Sequence, residues 1–145
     1  MSTEQEFVDL RVTPVDEEYM YVGDVIISQT DLKGNIVYAN RMFCDTSGYR
    51  VSELTGKPHN IIRHPDMPKA TFEKMWETIQ SGQSWNGLIK NLRKDGLYYW
   101  VETEISSVRN EHHETVGYIA ARKPVSRANI EEVEQQYRKL IESEG

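Results

Sequence analysis

Pro65 and Pro68 sit three residues apart near the middle of this 145-residue chain, and they limit its fold more than any other feature. Each fixes its own φ and disfavours helix in the residue before it, so no helix can run from Arg63 through Pro68. The flanking segments must be separate blocks. Upstream, residues 25–30 are β-branched and few, which reads as a strand. Asp31 to Asn35 supplies a turn in which Gly34 can take positive φ, and residues 36–39 return as a second strand. Asn40 can cap a short helix over 41–46 that Ser47 and Gly48 stop, and residues 51–54 make another short turn closed by Gly56 and Pro58.

Downstream, Phe72, Met75, Trp76 and Ile79 recur at helical spacing and predict a helix over 69–81 with one apolar face, for which Asp66 is a candidate cap. Gly82 ends it. Strands follow over 85–92, 97–108 and 116–123, joined by the hairpin turn Lys94-Asp95-Gly96 and a polar turn over 109–115. Pro124 stops the last strand, and Ser126 can cap a terminal helix running toward 143. Strands divided by a helical block predict an α+β domain: one antiparallel sheet, helices over one face, and a pocket between.

The chain is long enough to bury a core without staples, and 38% hydrophobic residues argue against disorder. One cysteine permits no internal disulfide, which suits a reducing, cytoplasmic setting. No run of 18 apolar residues offers a membrane span, and the first ten residues lack the basic start and apolar stretch of a signal peptide. The net charge of −6 argues against nucleic-acid binding through phosphate contacts. That charge is uneven: residues 1–24 hold seven acids and one base, whereas residues 25–126 hold 13 bases and 11 acids. Pro14 and the lack of periodicity before 17–20 make residues 1–24 read as a mobile acidic arm with at most a helical turn there, with residues 25–124 as the main folded domain and residues 125–145 as a terminal, coiled-coil-like helix. Within that helix Ile130, Val133, Tyr137 and Leu140 form an a/d seam, which either pairs with a second copy or packs back on the sheet.

Several segments together carry a family likeness: Thr30 to Asn40, Ser47-Gly48-Tyr49, Glu53-Leu54, the long run from Pro58 to Pro68, Met75-Trp76, Trp85 to Asn91, and Tyr99-Trp100-Val101. Over residues 25–123 the sequence resembles a PAS domain, a five-stranded antiparallel sheet with a helical block after strand two. In its finer detail it is similar to the flavin-binding PAS domain of bacterial aerotaxis receptors. The resemblance implies FAD held without a covalent bond, with the flavin's redox state as the signal. It implies cofactor contacts from Asn40, Arg63, His64, Asp66, Phe72, Trp76, Trp85 and Asn91. It further implies relay to a chemotaxis transducer in cis or in trans by protein–protein contact, a homodimer, and no enzymatic activity. Leu92 departs from the pattern, standing where such receptors often carry a second arginine, and the chain ends before any membrane anchor or signalling module.

The residue types suit that reading. Arg63 offers a planar donor fork for phosphate oxygens, and His64 can add a donor. Phe72, Trp76 and Trp85 can wall an aromatic ring, and Asn91 can both donate and accept at its polar edge. Phe72, Met75 and Trp76 equally suit a plain core. Cys44 lacks the surrounding motif of blue-light flavin domains and reads as a small packed hydrophobe. His59 or His64 could instead serve as an axial haem ligand for a gas sensor, and a cofactor-free dimerisation module is the third reading. His112 and His113 fall in the polar turn and read as solvated.

Overall fold

The structure, a computed structural model, describes residues 12–144. A hairpin of β1 (Ile26–Thr30) and β2 (Ile36–Ala39) leads into α1 (Arg41–Ser47), α2 (Val51–Leu54), a 3-10 turn (His59–Ile62) and α3 (Lys69–Gln80). Then come β3 (Trp85–Leu92), β4 (Tyr98–Arg109), β5 (Thr115–Lys123) and α4 (Arg127–Glu144). The five strands form one antiparallel sheet in the order β2-β1-β5-β4-β3. The last strand lands beside the first, with Ile26 opposite Arg122 and Ser28 opposite Ala120. This is the α+β architecture expected from the strand–helix–strand order.

Local chemistry sets the short elements. Asn40 caps α1 by accepting from Phe43 N at 3.0 Å, and Gly48 closes it at φ +80. The prolines do what the sequence requires: the helical block breaks after the 3-10 turn and restarts at Lys69. Ser126 accepts from Asn129 N at 3.3 Å at the head of α4. Alternation along each strand separates the two sheet faces. The inner face meets α1–α3 over a core that includes Ile26, Ile36, Phe43, Leu54, Tyr99 and Val101.

On the outer face, α4 packs back on the sheet. Tyr137 stacks on Trp100 at 6.3 Å between ring centres and donates its hydroxyl to Leu88 O at 2.5 Å. Ile130 is buried and Leu140 is at the surface, so the front of the a/d seam is used within the chain. The end of α4 reaches α3, where the Glu144 carboxylate accepts from Lys69 N at 3.0 Å and Ala70 N at 2.9 Å. Glu144 thus caps α3, and Asp66 does not; the N-cap position is Pro68, which offers no side-chain acceptor. Asp66 instead pairs with Lys90 at 3.0 Å.

The expected mobile arm needs correction over residues 12–24. Residues 17–20 form no helical turn, because their backbone groups are taken by the start of β4: Tyr19 N donates to Tyr98 O at 2.7 Å and Tyr98 N to Glu17 O at 3.1 Å. Val15 N likewise donates to Gly96 O, and Tyr21 enters the core. The part of the arm over residues 1–11 lies outside the described residues. Among the described residues no helix is long and apolar enough to cross a membrane.

Candidate ligand site

Between the inner sheet face and α3 lies a cavity of about 400 Å³, within the size range of small-molecule sites. Ser28, Thr103, Tyr118, Ala120 and Arg122 belong to its floor, and Phe72, Met75, Trp76 and Ile79 of α3 to its roof. The helical spacing read as one apolar face is the cavity wall. Trp76 meets Tyr118 edge-on at 5.7 Å and lies against Gly34, where a Cβ would stand 3.2 Å from the indole. Gly34, at φ +89, thus serves both the β1–β2 turn and the fit of the indole.

Four of the eight residues expected to hold a cofactor line this cavity: Arg63, Phe72, Trp76 and Asn91. The Arg63 guanidinium lies 4.0 Å over the Phe72 ring, and the Arg63 backbone bridges to Asn91. Asn91 is buried on β3, directly across the ladder from Tyr99. The other four lie elsewhere. Asn40 spends its side chain on structure, accepting from Ile27 N and Phe43 N and donating to Val25 O. His64 is buried beside Tyr98, its Nδ1 accepting from Asp66 N at 3.0 Å. Asp66 is exposed beside Lys90. Trp85 folds its indole over Gly87, where any Cβ would collide with the ring, and packs on the core.

The structure adds a cluster that spacing arguments passed over. Arg122, 3% exposed, donates from Nη2 to Ser28 Oγ at 2.9 Å, and Nη2 lies 2.7 Å from His59 Nε2. His59 Nε2 also lies 3.1 Å from Ser28 Oγ. Burial and the adjacent guanidinium push the His59 pKa down to about 3, so its ring is neutral and Nε2 accepts from Arg122. Burial lowers the Arg122 pKa to about 10, which leaves it charged at neutral pH. Among the described residues no Asp or Glu lines the cavity, whereas Lys33, Arg63 and Arg122 do. Arg122 Nη1 and Thr103 Oγ1 are buried with no hydrogen-bond partner among the described residues. Alternation from Tyr118 through Ala120 was the available signal for Arg122: it puts a charge at an inward position of a central strand.

An antiparallel sheet with helices over one face and a cavity between them is the architecture of PAS-type sensory domains. The chain belongs to the PAS family: the sequence profile of the PAS fold matches residues 36–122. It is 43% identical over 115 residues to the aerotaxis receptor of Escherichia coli K12, covering 79% of this chain and 22% of the receptor. It is 34% identical over 104 residues to the nitrogen fixation regulatory protein of Klebsiella oxytoca, covering 72% of this chain and 21% of that protein. The chain therefore spans about a fifth of the length of these relatives. Among solved structures it is similar to a light-oxygen-voltage domain studied with a flavin analogue, at 25% identity and a TM-score of 0.65, over 83% of this chain and 87% of that one.

Proposed function

We propose that this chain is a redox-sensing signal-transduction domain that binds FAD without a covalent bond. The reading also has it relay the flavin's redox state to a chemotaxis transducer, in cis or in trans, by protein–protein contact. The observation that carries the reading is the buried Arg122 guanidinium among the cavity's lining residues, with an Nη1 that has no hydrogen-bond partner and no Asp or Glu beside it in that lining, among the described residues. A buried cation without a counter-ion is costly, and an electron-rich ligand edge offsets that cost. The donor set fits FAD. Arg122 suits an acceptor-rich ring edge, Lys33 and Arg63 suit phosphate oxygens, and Phe72 and Trp76 suit a flat apolar ring. The similarity to an aerotaxis receptor and to a flavin-holding light-oxygen-voltage domain supports the same ligand class.

When bound, the flavin supplies a ring whose edge changes from acceptor to donor on reduction. The chain's own part is to answer that change. The Asn91 amide, across the ladder from Tyr99, can present either its oxygen or its NH₂ to the cavity edge. Differential contact between the two ligand states is what makes a switch. Two routes lead outward. Tyr21 donates its hydroxyl to Arg122 O at 3.2 Å, tying the N-terminal segment to the cavity floor, and Glu144 ties α4 to the cavity roof. In this reading residues 25–124 are the sensor core, residues 1–24 and 125–145 are the output flanks, the homodimer uses those flanks, and the chain works in the cytoplasm as a sensor without catalytic turnover. A haem reading fits less well, because His59 Nε2 is already engaged by Arg122 and Ser28.

The test is the absorption spectrum of the purified chain before and after dithionite. The reading expects flavin bands that bleach on reduction. A colourless chain that takes up no FAD overturns it.

A further inference from the structure

Thr103 is 2% exposed on β4, on the inner sheet face, and lines the cavity. The ladder sets it directly opposite Arg122 on β5 and opposite Gly87 on β3. Gly87 contributes no side chain, and the Trp85 indole lies over its place. Among the described residues Thr103 Oγ1 has no hydrogen-bond partner, like Nη1 of the arginine across the ladder. The two unsatisfied groups are therefore cross-strand neighbours on one floor.

A hydroxyl buried in a protein without a hydrogen-bond partner is destabilising. Valine has nearly the same shape, an equal preference for strands and no such cost. Thr at this position therefore destabilises the empty domain relative to Val, and its hydroxyl gains a partner only from something in the cavity. We infer that the Thr103 hydroxyl is a ligand-reading group: it hydrogen-bonds the same polar edge of the bound ring that Arg122 meets, and so helps set affinity for a planar, acceptor-bearing heteroaromatic ligand. This inference rests on the flavin reading above. It assigns to Thr103 a role that is chemical and not structural, and that role has a signature. The hydroxyl should help the loaded domain and harm the empty one.

The experiment uses the full 145-residue chain as wild type, Thr103→Val and Thr103→Ser. Each is freed of flavin, its melting temperature is measured, and it is then titrated with FAD by fluorescence quenching. Thr103→Val should bind FAD about tenfold more weakly, the loss of one hydrogen bond. Its flavin-free melting temperature should equal or exceed that of the wild type. Thr103→Ser, which keeps the hydroxyl, should bind within about threefold of wild type. If Thr103→Val binds FAD as tightly as wild type, the inference is overturned and the flavin reading stands. If weaker binding by Thr103→Val comes with a lower flavin-free melting temperature, Thr103 is a packing residue and the inference is again overturned. If the wild type itself takes up no FAD, the flavin reading falls and takes this role for Thr103 with it.

Discussion

On the outer face of the sheet, Tyr137 gives its hydroxyl to Leu88 O, Lys90 pairs with Asp66, and Arg127 meets Glu18 at 2.7 Å. On the inner face, Arg122 finds only neutral partners, leaves Nη1 unpaired, and faces a hydroxyl on Thr103 that has no partner either. Both faces belong to the same strands, and alternate residues supply them. The outer face pairs these polar groups within the chain, so its contacts serve stability and the placement of α4. The inner face keeps two unpaired groups among the residues of the cavity floor, and under the proposed function these serve binding. Buried polar groups in native proteins are paired as a rule; Thr46 Oγ1 and Ser107 Oγ are unpaired as well among the described residues, and what sets Arg122 and Thr103 apart is that both line the cavity.

Mutations can break this division. The largest effect on stability is expected on the outer face: Trp100→Ala removes a buried ring stacked on Tyr137 and should cost roughly 3–5 kcal/mol in denaturant unfolding. FAD affinity of the fraction still folded should barely change. Arg122→Met should do the reverse. FAD binding should weaken about a hundredfold or more by fluorescence titration, while flavin-free stability holds or rises, because an uncompensated buried charge has been replaced by packing. Equal damage to stability and binding in either variant would erase the distinction between the faces.

A smaller effect comes from pH. His59 has a folded pKa of about 3 against an ordinary 6.5, so the unfolded chain takes up the proton first. Its contribution to stability is complete above pH 6.5 and is lost as pH falls toward 3, at up to about 1.4 kcal/mol per pH unit for one proton. His64 is shifted down too, by burial and by Lys90, and adds to the slope in the same direction. Unfolding midpoints between pH 7 and 5 should therefore fall more steeply than one histidine allows, and His59→Gln should flatten only part of the slope. A pH-independent midpoint over that range would contradict the neutral His59.

The smallest effect concerns the bridge between the faces. The hydrogen bonds from Lys69 N and Ala70 N hold the Glu144 carboxyl below its ordinary pKa. A lowered folded pKa means that its contribution is present above pH 4.5 and is lost as pH falls through the folded value. Glu144→Gln should lower the melting temperature slightly at pH 7, and the difference should vanish as the pH falls through the folded pKa of Glu144. The same variant should speed amide exchange in the last turn of α4 without moving FAD affinity.

Much of the frame was legible in the residues. Pro65 and Pro68 forced the break before α3, Gly34 and the Lys94-Asp95-Gly96 turn placed two hairpins, and the spacing of Phe72, Met75, Trp76 and Ile79 picked out the cavity roof. The site was half legible. Arg63 and Asn91 could be proposed from residue type and family likeness. Asn40 and Asp66 could not be sorted from structural roles, because a cap and a ligand contact ask for the same side chain. Arg122, Ser28 and Thr103 were missed because they meet only across the ladder: β1 and β5 are far apart in sequence, and setting Thr103 opposite Arg122 depends on the register of the β4–β5 hairpin. The acidic N-terminal segment misled in a second way: its charge suggested mobility, while Tyr19 and Tyr21 anchor it to β4 and the core.

If a flavin completes the inner face of the sheet, FAD must stabilise the folded chain, and melting the flavin-free chain at rising FAD concentrations reads this out. The melting temperature should climb with FAD, with a stoichiometry of one FAD per chain. At about a hundred times the dissociation constant the gain should be near 2.7 kcal/mol. A melting temperature that stays fixed while FAD rises to high micromolar concentration would contradict it.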